Sequence, residues 1–370
     1  MKLHVKYTSS NVGRVTVACV LVLLCAAFMF GQRDKSLTNK STLGQQLFFD
    51  KRLSADGTVS CASCHDPAMG FASRDTVAIG VRNQSGARNA PTLLNAKLSN
   101  SYFWDGRART LEEQAKQPLL NAVEMGLENE SVLVARVSSI PEYRTMFQRL
   151  FPREGITLDT VARTIAAFER TLVSVNSPFD RFLKGDRKAI TANQKAGWAL
   201  FRGKARCIEC HVVSKSSLVF TDSKFHNTGV VGRDEDFEKL SQRAVAIRLR
   251  RRSEPIALFA HQQEFSELGR FLVTLNDKDI GAFKTPTLRD VELTGPYMHN
   301  GSLRTLIDVI RFYNQGGQKN PNLDSKMHAL NLNEKEINEL VEFLRALTSD
   351  EVLRTAQSAK PQTRIAVRLP

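Results

Sequence analysis

The sequence lacks the regular alternation of polar and apolar residues that marks β-strands, and this absence argues against an all-β fold. Helical periodicity is present instead. Apolar residues recur every three or four positions from Leu158 to Leu172 and predict an amphipathic helix over residues 157–175. Asn333 and Glu336 predict a capping box at the start of another helix near the C-terminus. We therefore predict a mostly α-helical protein, with long loops where Gly, Asn and Pro are frequent.

Cysteine is also scarce, at six of 370 residues, which argues against a disulfide-rich scaffold. Four of the six lie in a C-x-x-C-H pattern that occurs twice, as Cys61, Cys64 and His65 and as Cys207, Cys210 and His211. In c-type haem attachment, two thiols form thioethers to the porphyrin and the His supplies an iron ligand. A zinc site or two disulfides are the alternatives, but neither explains a His after both pairs. The sequence therefore predicts two covalently bound haems c.

A shorter string, G-x-x-L-F, lies upstream of each haem pattern, over residues 44–48 and 197–201. This repetition indicates an internal duplication with one haem in each half. A chain of 370 residues has room for two domains of ordinary size. We predict an N-terminal haem c domain over residues 32–178, a C-terminal haem c domain over residues 179–350 and a polar tail over residues 351–370.

Long apolar runs are rare, and the clearest one extends from Val15 to Phe30 behind the basic residues Lys2, Lys6 and Arg14. A basic start followed by an apolar segment predicts export through a signal peptide over residues 1–31. An uncleaved N-terminal membrane anchor is the alternative, because the length of this segment lies between a long signal-peptide core and a short membrane span. Since haem c is attached outside the bacterial cytoplasm, we expect a periplasmic protein.

Acidic residues are outnumbered by basic ones, which gives a net charge of +14. A basic surface attracts an acidic redox partner or an anionic membrane. Nucleic acid is the other common partner of a basic protein, but the export signal argues against it. The densest basic stretch, residues 243–252, is either a solvated helix face or a docking surface.

Six further motifs follow along the chain, at Gly86–Leu93, Trp104–Arg107, Pro118–Gly126, Phe283–Arg289, Thr294–Gly301 and Phe312–Gly317. In their residues and in their order, they resemble those of the bacterial di-haem cytochrome c peroxidases and the related MauG enzymes. The resemblance covers roughly residues 40–348 and includes both haem patterns. It implies an exported oxidoreductase that acts on hydrogen peroxide.

The resemblance also implies roles for individual residues. The haem on His65 would be the peroxidatic one, and the haem on His211 would store or relay an oxidising equivalent. Glu124 matches the family's acid–base carboxylate, which peroxide chemistry requires for proton transfer between the two oxygens. Gln114 and Pro118 would line the same pocket.

Trp104 matches the position between the two haems, where an oxidisable indole can relay an electron. A buried core residue is the alternative interpretation of this Trp. The family also holds a calcium ion between the haems, and Asn89, Thr294 and Pro296 match the positions of its ligands. Oxygen ligands of this kind suit Ca²⁺.

Two departures from the classical peroxidases point toward the MauG-like members. No His occurs between Asp66 and Arg88, where classical members carry a blocking ligand, so we expect a five-coordinate first haem. Tyr313 stands where classical members have a Met as the sixth ligand of the second haem, and MauG-like members have a Tyr there. A core aromatic is the alternative for Tyr313, with Met327 and His328 as other donors. The sequence pattern predicts no role for His261.

These observations predict a MauG-like di-haem peroxidase that draws electrons through the C-terminal haem. The electrons would come from a small c-type cytochrome, another periplasmic donor or an oxidised substrate, and members of the family are often homodimers. The alternative is a di-haem electron-transfer protein without catalysis, in which both irons are saturated. A third interpretation, a zinc-stabilised helical binding protein, is disfavoured by the export signal and by both histidines.

Overall fold

A computed structural model of the protein describes residues 39–213, 219–231, 236–250 and 259–359. The predicted export segment lies outside these residues. Among the helices that are described, none is long and apolar enough to cross a membrane.

The described residues are mostly helical, which confirms the predicted fold class. The helices are α1 (residues 39–49), α2 (Cys61–Cys64), α3 (Leu111–Leu120), α4 (Glu130–Ser138), α5 (Pro141–Leu150), α6 (Leu158–Glu169), α7 (Pro178–Leu183), α8 (Ala192–Arg202), α9 (Phe237–Arg250), α10 (Phe271–Thr274), α11 (Leu306–Gln315), α12 (Glu334–Arg345) and α13 (Asp350–Ala359). Strands β1 (Phe225–His226) and β2 (Phe283–Lys284) form an antiparallel pair, the only sheet in the described ranges.

The N-terminal core forms where α1 crosses α6. Leu43, Leu47 and Phe48 are fully buried on α1 and belong to one apolar cluster with residues of α6. Gly44 lies at the crossing itself, because a β-carbon there would overlap the carbonyl of Thr164. The first G-x-x-L-F string therefore serves close helix packing.

The C-terminal core repeats this arrangement with α8 and α12. A β-carbon at Gly197 would overlap the carbonyl of Glu339, and Phe201 packs against Phe343 with ring centroids 5.0 Å apart. Both G-x-x-L-F strings thus place a glycine at a helix crossing that leads into a haem pattern, as expected after a duplication.

A third apolar cluster, formed by residues between Leu240 and Ile280, was not predicted. It contacts the N-terminal half through two guanidinium groups. Arg88 Nη2 donates to the carbonyl of Ser266 at 2.6 Å, and Arg270 Nη1 donates to the carbonyl of Asp105 at 2.8 Å. We call residues 259–274 the bridging segment, since they join the two halves.

Two boundaries differ from the predictions. The helix predicted over residues 157–175 ends at Glu169, because the chain turns at Arg170 and Thr171. The predicted polar tail is wrong for its first part, which forms α13 with Val352 and Ala356 buried. This helix packs on residues Pro67–Met69, so tertiary contacts stabilise a segment whose apolar stripe is short. The remaining tail, residues 360–370, lies outside the described residues. The capping box at Asn333 is confirmed.

Candidate functional site

The first haem pattern lies on α2 at the wall of a large cavity. Ser60 and Ser63 form a capping box that starts this helix, and its end presents His65. The Nδ1 atom of His65 is 3.2 Å from the carbonyl oxygen of Phe71. Because a carbonyl only accepts, Nδ1 carries the proton and Nε2 is the unprotonated nitrogen that can bind a metal. Burial lowers the pKa of His65, which favours this neutral ring.

The second pattern repeats this geometry. A 3₁₀ turn, Cys207–Glu209, leads to His211, whose Nδ1 atom donates to the carbonyl of Phe220 at 2.9 Å. Burial again lowers the pKa of the ring. Each His is therefore held in the tautomer that a haem iron requires.

Both cavities fit a haem c. Their walls are largely apolar, and each contains both thiols and the His of one pattern. The four thiols are free of disulfides. A shared cavity with unbonded thiols and a correctly protonated His matches covalent haem attachment, whereas zinc would require the four thiols to converge.

The first cavity also contains Gln114, Pro118 and Glu124. Gln114 and Pro118 are four residues apart on α3 and so share one helix face. Glu124 follows the end of α3, and its Oε1 atom accepts a hydrogen bond from Asn121 Nδ2 at 3.0 Å. Burial raises the pKa of Glu124, whereas the nearby charge of Arg107 and the Asn121 hydrogen bond lower it. This balance gives a carboxyl that can both take up and release a proton.

A buried charge cluster lies beside Glu124. Asp105 Oδ2 accepts from Arg88 Nη1 at 2.7 Å and from Arg107 Nη1 at 2.8 Å. Although burial acts in the opposite direction, the two guanidinium groups lower the pKa of Asp105 to about 2. The cluster therefore keeps one net positive charge near the cavity.

His261 was missed by the sequence analysis, and the structure places it in the wall of the first cavity. Its Nδ1 atom is 3.3 Å from Glu124 Oε1, and its Nε2 atom is 3.1 Å from Arg107 Nη2. His261 belongs to the bridging segment, far along the chain from both partners. No local pattern in the sequence marks this contact.

Glu169 is a second residue that the sequence analysis missed. It lies at the end of α6 and lines the first cavity, and its Oε2 atom is buried without a hydrogen-bond partner. Burial raises its pKa to about 8, with a smaller contribution from Glu112 in the same direction. Glu169 is therefore mostly protonated at pH 7.

Trp104 lies in the walls of both cavities. Its indole Nε1 donates to the carbonyl of Asn89 at 2.9 Å, and its own carbonyl accepts from the backbone of Lys284 at 2.8 Å. The indole is thus held by the N-terminal half and the backbone of Trp104 by the C-terminal half. The bridging role of Trp104 stays a prediction.

The second cavity contains Tyr313 on α11, together with Met327 and His328. Burial and the nearby thiols of Cys207 and Cys210 raise the pKa of Tyr313. The hydroxyl therefore stays protonated unless a cation compensates for its burial, and a ferric iron is such a cation. Tyr313 as a ligand stays a prediction.

The three residues predicted to bind calcium, Asn89, Thr294 and Pro296, also line the second cavity. The Nδ2 atom of Asn89 donates to the carbonyl of Asp75 at 3.0 Å, which leaves Oδ1 as its ligand atom. Calcium binding stays a prediction.

In the basic stretch, residues 243–252, Arg243 pairs with Glu264 and Arg248 donates to the carbonyl of Leu272, so part of the stretch has a structural role. Residues 251 and 252 lie outside the described residues.

Comparison with known proteins agrees with this geometry. The family model for di-haem cytochrome c peroxidases matches residues 38–188. The chain is 38% identical over 310 residues to the cytochrome-c peroxidase IdrP2 of Denitromonas iodatirespirans, covering 83% of this chain and 81% of that protein. It is 37% identical over 310 residues to the methylamine utilization protein MauG of Methylophilus methylotrophus, covering 83% and 82%. A crystal structure of a MauG-like protein associated with microbial copper homeostasis superimposes with a TM-score of 0.71 at 31% identity, covering 85% of this chain and 91% of that one.

Proposed function

We propose a specific route for peroxide reduction in this chain, which belongs to the di-haem cytochrome c peroxidase and MauG family. The family consists of oxidoreductases that act on peroxide and contain two haems c. In our proposal, hydrogen peroxide is reduced at the N-terminal site and the electrons arrive through the C-terminal site. The observation that supports this assignment is that Glu124 shares one cavity with Cys61, Cys64 and His65.

Cys61, Cys64 and His65 would hold the first haem, and Cys207, Cys210 and His211 the second. A haem c in the first cavity would supply the redox chemistry for the reduction of peroxide. Reduction of hydrogen peroxide to two waters consumes two electrons and two protons. Glu124 takes a proton from one peroxide oxygen and returns it to the other oxygen as the bond between them breaks. Gln114 and Pro118 orient the peroxide beside this carboxyl.

Trp104 connects the sites, because this residue lines both cavities and its indole N–H donates to the Asn89 carbonyl. Tyr313 would be a ligand of the second haem, and a phenolate ligand would stabilise ferric over ferrous iron. This ligand favours a MauG-like reaction, in which a protein or small-molecule substrate is oxidised. A Met ligand in its place would favour a small cytochrome as the donor.

We also propose that the chain works outside the cytoplasm and binds Ca²⁺ at Asn89, Thr294 and Pro296. The apolar segment from Val15 to Phe30 supports export. The Oδ1 atom of Asn89 and backbone carbonyls at the other two positions are oxygen ligands of the kind that Ca²⁺ prefers.

The test of the acid–base role is Glu124→Gln in protein matured with haem. Glutamine keeps the shape of the side chain but cannot transfer a proton, so we expect peroxide turnover to fall by about 10²-fold or more. Haem content, measured from the optical spectrum, should not change. Glu128→Gln, an exposed carboxyl nearby, is the matched control and should keep full turnover. Full turnover in Glu124→Gln would overturn the assignment.

The resting EPR spectrum tests the alternative of a pure electron-transfer protein. One high-spin and one low-spin ferric haem, with peroxide oxidising the protein before any reduction, support an enzyme. Two low-spin haems that do not react with peroxide support the carrier. In Tyr313→Met, the low-spin signal should change while the high-spin signal stays the same, because only the second site is altered.

A further inference from the structure

His261 connects the bridging segment to the acid–base group of the first site. The residue before it, Ala260, is buried in the third apolar cluster, and the ring lines the first cavity. Its two nitrogens contact two different residues of the N-terminal half. Nδ1 is 3.3 Å from Glu124 Oε1, and Nε2 is 3.1 Å from Arg107 Nη2.

These two contacts determine which nitrogen carries the proton. A guanidinium group has donors and no acceptor, so Arg107 donates to Nε2, which must be unprotonated. The single proton of the neutral ring is then on Nδ1, the nitrogen that lies beside the Glu124 carboxyl. A neutral N–H is therefore available to Glu124.

We propose that His261 is a positioning residue for peroxide reduction, which donates from Nδ1 to Glu124 and is itself oriented by Arg107. Asn121 Nδ2 holds the same oxygen of Glu124 from the N-terminal half. With this Nδ1 donor added to Asn121, two parts of the chain would together restrict the carboxyl to one orientation. The inference rests on the proposed function of Glu124.

The electrostatics of the cavity support a neutral ring. Burial, together with the charges of Arg107 and Arg88, lowers the pKa of His261 to about 3, against a smaller opposing effect of Asp105. Among the described residues, these three charges act on the ring, and the Glu124 carboxyl lies 3.3 Å from its Nδ1 atom. A second positive charge beside Arg107 is therefore disfavoured across the working pH range.

The position of His261 is fixed by the rest of the bridging segment. Arg88 donates to the carbonyl of Ser266, and Arg270 donates to the carbonyls of Asp105 and Gly106. The charge cluster that orients His261 is thus also the cluster that attaches the segment. The C-terminal half thereby contributes one residue to the N-terminal site.

The test compares His261→Leu with His261→Gln in the haem-loaded protein. Leucine fills the space but offers no hydrogen bond, whereas glutamine has an oxygen for Arg107 and an N–H for Glu124. A hydrogen bond to a carboxylate lowers its pKa, so losing it raises the pKa of Glu124. We expect the acid limb of kcat/KM for peroxide to move up by about one pH unit in the Leu variant and to return in the Gln variant. Gln262→Leu, an exposed neighbour, is the control and should match the wild type.

Cyanide binding gives a readout that does not depend on turnover. Hydrogen cyanide must lose its proton to bind, so its binding rate reports the same carboxyl. The pH profile of this rate should shift in His261→Leu as the kcat/KM profile does, with partial or full rescue in His261→Gln.

Three results would overturn the proposal. The first is an acid limb that stays in place in both variants, and the second is an equal shift in Leu and Gln. The third is a first haem that is low-spin at rest and becomes high-spin in His261→Leu, because His261 would then be an iron ligand. Failure of the proposed function itself would give a different result, namely full peroxide turnover in Glu124→Gln.

Discussion

At the scale of single residues, the haem attachment residues are the part of the site that sequence reveals best. Two thiols and a His are adjacent along the chain, so the chemistry and the spacing appear together. Glu124 and Trp104 are single residues of common types, and only the resemblance to a family assigned them. His261 and Glu169 reach the site through tertiary packing alone, which leaves no local signal.

Glu169 makes stability depend on pH. Its pKa in the folded protein is about 8, raised from 4.5 mainly by burial. Between these values the unfolded chain releases the proton while the folded chain keeps it, so the free energy of unfolding falls as pH rises. Below about pH 4.5 both states hold the proton and the effect vanishes. Glu169→Gln has no carboxyl to ionise, so this pH-dependent loss of stability should disappear. The thermal midpoint of the variant, measured relative to that of the wild type, should therefore rise from pH 5 to pH 8.

The size of this effect is about 5 kcal/mol at most, from the difference between the folded and unfolded pKa values and the free energy of one pH unit. Thermal unfolding at pH 5 and pH 8 measures it. Glu142→Gln replaces an exposed carboxyl on α5 and should give the same difference from the wild type at both pH values. A Glu169→Gln variant that gains nothing at pH 8 would show that the carboxyl is ionised in the fold.

At the scale of elements, periodicity and capping residues predicted where helices occur, but they did not predict two of the helix boundaries. The apolar stripe that predicted the helix over residues 157–175 continues past its end, because Leu172 packs on the same core without being helical. The polar composition of α13 suggested a tail, yet Val352 and Ala356 are buried against the segment that follows His65. Both errors arise because packing between distant elements overrides local preference.

The close helix crossings at Gly44 and Gly197 can be tested by replacing glycine with alanine and measuring whether the protein becomes more or less stable. Replacing a helical Gly with Ala stabilises an isolated helix by about 1 kcal/mol. At Gly197 the added methyl group would overlap the Glu339 carbonyl, so α8 and α12 must separate. We expect Gly197→Ala to destabilise the protein by about 1–3 kcal/mol.

Chemical denaturation of the haem-loaded protein measures this change. Ala199→Gly, at an exposed site on the same helix, should cost about 1 kcal/mol through helix propensity alone. Gly44→Ala should behave like Gly197→Ala if the two crossings are equivalent. A stabilised Gly197→Ala variant would contradict the close crossing.

At the scale of the whole molecule, the two halves are joined by buried polar contacts around Trp104. The charge cluster of Arg88, Asp105 and Arg107 attaches the bridging segment, and Lys284 of β2 donates its backbone N–H to the Trp104 carbonyl. Sequence repetition predicted two halves but not this interface, because each contact joins residues that are far apart in the chain. The interface places one oxidisable ring between two cavities.

This placement predicts the effect of Trp104→Phe. Phenylalanine fills much of the volume but is far harder to oxidise, and it loses the hydrogen bond to the Asn89 carbonyl. We expect electron delivery from a donor at the C-terminal site to slow by about tenfold or more, equal to at least 1.4 kcal/mol of activation free energy. The initial reaction of peroxide at the first site should keep its rate. Stopped-flow spectroscopy of both steps measures this difference.

Trp198 is the matched control, because it is the other of the two tryptophans in the chain. It packs against Phe179, Phe201 and Phe343 in the C-terminal core and is absent from the walls of both cavities. Trp198→Phe should lower stability without changing electron delivery. If both variants slow delivery equally, loss of packing explains the effect. If only Trp104→Phe slows it, the effect belongs to the indole at position 104 and its hydrogen bond to Asn89, and not to a general loss of aromatic packing.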